Sequence, residues 1–130
     1  IEVTRLNDMP LGTWDGVNDI IATEPFCVFR NGDGDYAITA TGGNAAGAQF
    51  RLGGAGNLNY DLEFSQSGAY FAASSGVSMP SSTTGFSGES SRDCGGADNL
   101  TARITVTAAD LLAAPAGSFS DTVTLLVEPD

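Results

Sequence analysis

The sequence contains no histidine and no lysine, and its only cations are five arginines set against sixteen acidic residues. Without histidine the commonest general base near neutral pH and the imidazole metal ligand are both missing. Without lysine, Schiff-base chemistry and the phosphate-loop lysine are unavailable. Cysteine is scarce: Cys27 and Cys94 are the two present, and two lone thiols so far apart do not make a four-ligand zinc site. There is no apolar run long enough to span a bilayer. The net charge of −11 would repel a polyanionic nucleic acid or an anionic membrane. It serves the solubility of a secreted protein, with Ca²⁺ or a cationic partner as the alternative reading of so acidic a surface.

Serines are abundant, but none has an activating base beside it in the sequence, and the pattern contains no catalytic constellation. The expectation is a protein that is not an enzyme and uses no cofactor. An even cysteine count in a secreted chain favours a Cys27–Cys94 disulfide over two free thiols, and such a bridge implies an oxidising compartment. A first residue of Ile1 rather than Met reads as a mature form from which a signal peptide was removed, or equally as the boundary of an excised piece.

A hydrophobic share of 42% excludes wholesale disorder, and 130 residues suffice for one domain with a core. Seventeen glycines, about twice the usual share, imply many turns. Period-two patterning recurs. In "NLNYDLEF" Leu58, Tyr60, Leu62 and Phe64 share one face. In "DYAITATG" Tyr36, Ile38 and Ala40 do so, and in "NLTARITVT" Leu100, Ala102, Ile104 and Val106. "FCVF" and "QFRL" are shorter strand candidates. Gly-rich connections between them argue for an antiparallel β-sandwich. "TAADLLAAPAG" reads as a helical turn capped by Thr107 and ended by Pro115 and Gly117. The Ser/Gly-rich stretch 74–91 is long for a hairpin loop and is expected to hold a short, poorly patterned strand.

Three motifs invite sharper readings. "NGDGDY" at 31–36 alternates carboxylates as a calcium loop does. It carries Tyr36 where the sixth-position glycine belongs and Gly42 where a bidentate glutamate belongs, so it reads as a hairpin turn feeding the next strand. Trp14, the only tryptophan, is expected in the core rather than as an exposed sugar platform. "NLT" at 99–101 matches a glycosylation sequon but opens a strand.

The closing segment "GSFSDTVTLLVEPD" places Phe119, Val123, Leu125 and Val127 at alternate positions, with Asp121 the exception on that face. Three residues follow Val127 in the sequence, so the expectation is that no later segment pairs with this strand. An exposed apolar edge is an aggregation hazard that proteins cover. Either an earlier part of the chain covers it, or another molecule does.

"LGTW", "FCVF…YAITATG", "FRL…LNYDLEF" and "CGGADNLTARITVTAADLLAAPAGSFSDTVTLLVEP" together resemble the spore coat protein U domain, the family that supplies subunits of archaic (Csu-type) chaperone-usher pili. The resemblance runs from about Leu11 to Pro129 and is most specific at the C-terminal end. It implies an immunoglobulin-like antiparallel β-sandwich that lacks its final strand. A periplasmic chaperone would fill the gap first, and the N-terminal extension of a neighbouring copy would fill it after passage through an outer-membrane usher. On that reading residues 1–10 are the candidate donor extension, with Ile1 and Val3 entering the neighbour, and residues 11–130 form the pilin domain. Phe119, Val123, Leu125 and Val127 would line the acceptor groove. The donor alternation stops at Arg5, and Leu6, Met9 and Leu11 follow a different spacing. The implied place is an extracellular, cell-surface pilus serving adhesion or biofilm, reached through the periplasm. Two alternatives remain: the C-terminal pilin domain or tip subunit of a pilus adhesin, and a self-contained secreted binding sandwich.

Overall fold

A computed structural model of the chain describes residues 1–31 and 34–130. Its eleven strands pair antiparallel throughout. One sheet runs in the order β1 (Glu2–Thr4), β2 (Ile20–Phe29), β9 (Leu100–Val106), β6 (Asp61–Ser65) and β7 (Tyr70–Ala72). Two three-stranded sheets complete the sandwich. One consists of β11 (Val123–Pro129), β3 (Tyr36–Gly42) and β8 (Ser78–Met79). The other consists of β10 (Phe119–Ser120), β4 (Arg51–Gly54) and β5 (Asn57–Asn59). Two short helices, α1 (Ser81–Thr84) and α2 (Ala108–Ala113), sit in the connections.

The alternating apolar positions fill the space between the sheets. Phe26, Val28, Leu62, Phe64, Leu100, Ala102 and Val106 come from the five-stranded sheet. They meet Tyr36, Ile38, Ala40, Met79 and Val127 from the β11–β3–β8 sheet and Leu52 and Leu58 from the third. The fold is an all-β antiparallel sandwich, as the spacing predicts. Cys27 and Cys94 are joined in a disulfide across 67 residues of sequence, with both cysteines buried. The Thr107 hydroxyl accepts the Asp110 N–H and caps α2, as the sequence led us to expect. Stretch 74–91 holds β8 and α1, and contributes Phe86, fully buried against Phe71 and Tyr36.

Three details differ from the sequence reading. "NLNYDLEF" is not one strand. It breaks at Tyr60, with β5 pairing β4 and β6 pairing β9, although all four apolar side chains are buried. Alternation determines which face is buried and leaves open which sheet a strand joins. The turn after β2 does not close a hairpin, because β2 pairs with β1 and β9 while β3 pairs with β11 and β8. Gly32 and Asp33 of the calcium-loop reading lie outside the described residues, and Asp35 is bridged to Ser87. Trp14 is half-exposed rather than in the core. Its indole N–H donates to the Asn18 carbonyl at 2.6 Å, which satisfies the ring's one polar atom without burying it. The Asn99 of "NLT" is engaged at both ends of its amide: Oδ1 accepts Val28 N–H at 2.9 Å and Nδ2 donates to Val28 O at 3.0 Å.

β2 is longer than "FCVF" because its first half is poorly patterned, carrying Glu24 on the inward face and Pro25 beside it. Proline is tolerated there because β1 covers only Cys27–Phe29 on that edge, leaving the first half of β2 as an edge. At the opposite corner β10 crosses β4 against Gly54, which has φ +156° and where a Cβ would strike the Ser118 carbonyl. Only glycine fits.

Candidate binding groove beside the last strand

β11 pairs with β3 along seven residues, from Val123↔Gly42 to Pro129↔Tyr36. On its other side, no main-chain group of Val123–Pro129 has a partner among the described residues. Side chains alternate along it. Thr124, Leu126 and Glu128 face solvent, while Val123 and Leu125 are half-buried and Val127 is buried at 8% exposure.

Inside this edge lies an open cavity of about 590 Å³. Leu62, Phe64, Ala102 and Ile104 form its floor, and Phe119, Val123 and Leu125 form one wall. The structure thus gathers three of the four groove residues expected from sequence. Val127 is packed into the core and does not line the cavity.

The facing wall is a segment whose role the sequence did not disclose. After β1 the chain turns at Arg5, whose φ of 63° lies in the left-handed region uncommon for a non-glycine residue. The Arg5 guanidinium donates to Asp98 Oδ1 at 2.7 Å. Residues 6–12 then cross the mouth of the groove as an irregular strap. Met9 and Leu11 pack against the core. Among the described residues, 6–13 make no main-chain to main-chain hydrogen bond. The strap is tied instead by a side chain: Glu24 Oε1 accepts Asn7 N–H at 3.3 Å and Asn7 Nδ2 at 3.2 Å.

Beyond Leu11 and Gly12 a second cavity, of about 640 Å³, continues past Ile20 and Leu58 to α2, with Trp14 at its rim. Asp15 orders the turn after Trp14 by accepting N–H groups of Val17 at 2.8 Å and Asn18 at 2.9 Å. These bonds, that of Asn18 foremost, hold the Asp15 carboxyl below its usual range.

Asp121, the acidic residue on the β11 side of the groove, is also a structural anchor. Asp121 Oδ2 accepts the Tyr60 hydroxyl at 2.6 Å, and Oδ1 accepts Asn44 N–H at 3.0 Å. Burial, and then the adjoining Asp121 carboxylate, push the Tyr60 hydroxyl well above the ordinary tyrosine range. The sequence signal for this contact is the interruption itself: an aspartate placed where the strand's alternation demands an apolar residue.

The candidate donor residues are not at the groove. Ile1 is exposed. Val3 is half-buried in β1 against the chain's own core, opposite Val28 of β2. Serving a neighbour would require β1 to leave β2. As for chemistry, among the described residues no three Cys, Asp or Glu side chains gather as a metal site would need, and no helix is long and apolar enough to cross a membrane.

Family models and curated proteins contain no match to this sequence. A solved structure of a chaperone–tip adhesin complex from the biogenesis of CFA/I fimbriae contains a chain that is similar in fold. The alignment covers 99% of the present chain with a TM-score of 0.61 and 13% sequence identity. It takes in 41% of that other chain, so the present chain spans less than half of its structural neighbour. At that identity the likeness is one of architecture: this antiparallel β-sandwich, with its open edge at β11, shares its fold with part of a chain in a fimbrial chaperone–adhesin complex.

Proposed function

We propose that the chain is a non-enzymatic structural subunit of an extracellular pilus of the chaperone-usher type, assembled head to tail by donor-strand complementation. The observation that carries this reading is the free edge of β11 beside an open apolar groove. An edge of this kind suits β-augmentation, in which main-chain groups pair along the edge and alternate side chains of the incoming strand enter the groove. Repeating such a contact between copies does not close on itself, so it builds a filament. A periplasmic chaperone would occupy the groove first and an outer-membrane usher would direct the exchange. The likeness in fold to a chain of a fimbrial chaperone–adhesin complex supports the pilus setting, and the Cys27–Cys94 disulfide supports an oxidising route of export.

One observation favours a second reading, that of a receptor-only unit such as the pilin domain of a tip adhesin. Here β1 is docked on its own sheet, and a unit that only receives a strand has no need to release it. A denaturing gel of native material, run with and without boiling, separates the two. A ladder that collapses to the monomer band only on boiling means non-covalent, kinetically locked polymers. A single band in both lanes removes the filament-forming subunit from first place. In material that does form a ladder, Leu125→Asp is expected to abolish it, because the new carboxylate would be buried without a partner when a strand docks. The monomer should stay folded, since Leu125 is half-exposed there. Normal ladders from this variant would rule the groove out.

A further inference from the structure

We infer that Arg5 of one copy and Asp121 of the next form the ion pair that sets both the register and the direction of the docked strand. The inference rests on the donor-strand reading and specifies how that groove reads its occupant. The inward face of the groove wall runs Asp121, Val123, Leu125: one acid, then two apolar side chains, at alternate positions. The chain's own N-terminus carries the complement, Ile1, Val3, Arg5: two apolar side chains, then one base, also at alternate positions.

Laid antiparallel to β11, the segment places Arg5 beside Asp121, Val3 beside Val123 and Ile1 beside Leu125. Glu2 and Thr4 then face solvent beside Thr124 and Thr122. Side chains directly opposite on neighbouring strands point to the same face and make the contacts that stabilise a sheet. Other arrangements are worse. Sliding by two residues brings Ile1 to Val127 but buries Arg5 against Val123 without a partner. A parallel strand with Val3 beside Val123 sets Ile1 on Asp121 and Arg5 on Leu125. A slip by one residue turns Glu2 and Thr4 inward. Of these registers, only the first matches charge with charge and apolar with apolar.

Asp121 has capacity for the contact. A carboxylate offers about four acceptor positions, and Tyr60 and Asn44 engage one bond on each oxygen. Arg5 is equally available for exchange. Its present partner, Asp98, is a surface residue, with the two side chains 36% and 27% exposed, and exposed pairs of this kind contribute little. Its left-handed φ of 63° is what breaks the 1-3-5 alternation in the self-packed chain. Extending Arg5 in a neighbour's groove would relieve that conformation and restore the alternation. Among the described residues the strap that follows has no main-chain to main-chain bonds to lose when the N-terminus swings out, and its one main-chain tie, Asn7 N–H to Glu24 Oε1, is a long 3.3 Å bond.

The test uses the full chain and synthetic peptides of residues 1–6, IEVTRL, in three forms: native, Arg5→Val and Arg5→Glu. Binding is measured by calorimetry, with fluorescence of Trp14, at the rim of the adjoining second cavity, as a second reporter. The native peptide should bind best, the Arg5→Val peptide less well, and the Arg5→Glu peptide at least about tenfold more weakly than the native. On the Asp121→Asn chain this ranking should collapse. The ranking on the native chain decides the matter by itself if that variant folds poorly. Equal binding of all three peptides, or tightest binding of the Arg5→Val form, overturns the ion pair while leaving the groove intact. No binding by any of them overturns the donor-strand reading and the ion pair with it.

Discussion

Tyr60 and Asp121 show how a single bond joins parts of the chain that periodicity treats separately. Tyr60 sits where the chain passes from one sheet to another, stacked on Phe50 with ring centroids 5.5 Å apart. Its hydroxyl reaches Asp121, two residues before the last strand. Tyr36 is buried likewise, and burial raises its hydroxyl well above the ordinary range. For both residues the neutral form is favoured in the folded state. Their contribution to stability is therefore fully present below the unfolded tyrosine value of about 10 and is lost as pH rises beyond it. We expect stability to be insensitive to these groups at neutral pH and to fall on the alkaline side. Phenolate absorbance from Tyr36 and Tyr60 should appear together with loss of the β-sheet circular dichroism signal. Full ionisation of every tyrosine in a chain that keeps its native spectrum would contradict the assignment.

Among the elements, those with strict alternation were legible in the sequence, and the reason is physical. Tyr36, Ile38 and Ala40 of β3, and Leu100, Ala102 and Val106 of β9, are buried as their spacing predicts, because a strand exposes successive side chains to opposite faces. The inward face of β11, with Val123, Leu125 and Val127, was legible for the same reason. Three things were not. The break at Tyr60 leaves the apolar pattern unaltered and so has no periodic signature. The strap depends on Met9 and Leu11, whose spacing fits neither strand nor helix. The first half of β2 hides behind Glu24, whose inward carboxylate answers to Asn7, a contact between segments that no local pattern records.

Asn99 is a further case, a polar side chain that prolongs a sheet. By bonding both the N–H and C=O of Val28, it extends the β9–β2 ladder beyond its last paired residues, Phe26↔Leu100. Asn99→Ala would leave the main-chain N–H of the fully buried Val28 unsatisfied, while Val28 O keeps the bond from Glu89 N–H at 3.1 Å, at a cost of roughly 1–2 kcal/mol. Urea unfolding would measure it, and a change under about 0.5 kcal/mol, the range of ordinary surface substitutions, would show that water or a rearranged loop replaces the amide.

For the molecule as a whole, the Cys27–Cys94 bridge is the largest single constraint. It closes a loop of 67 residues, which in the chain-entropy model stabilises the fold by about 4 kcal/mol. Domains of this size commonly have about 5–15 kcal/mol in total, so replacing both cysteines by alanine should remove a large share of the stability. Denaturant unfolding of the variant should show a loss of that order with the slope against denaturant near that of the parent or steeper. A loss below about 1 kcal/mol would mean that the unfolded chain is already compact around these segments.

The β11–β3 ladder also bears on how the molecule carries load. Its seven rungs are continued at one end by Gly43 N–H to Thr122 O at 2.8 Å and at the other by Asp130 N–H to Asp35 O at 3.1 Å. A pull directed along β11 meets these bonds side by side, in shear, and must break them together. A pull that lifts one end meets them one after another, as a zipper does. Tension along the last strand is therefore the direction in which this sandwich resists most, and sideways peeling is the direction in which it yields.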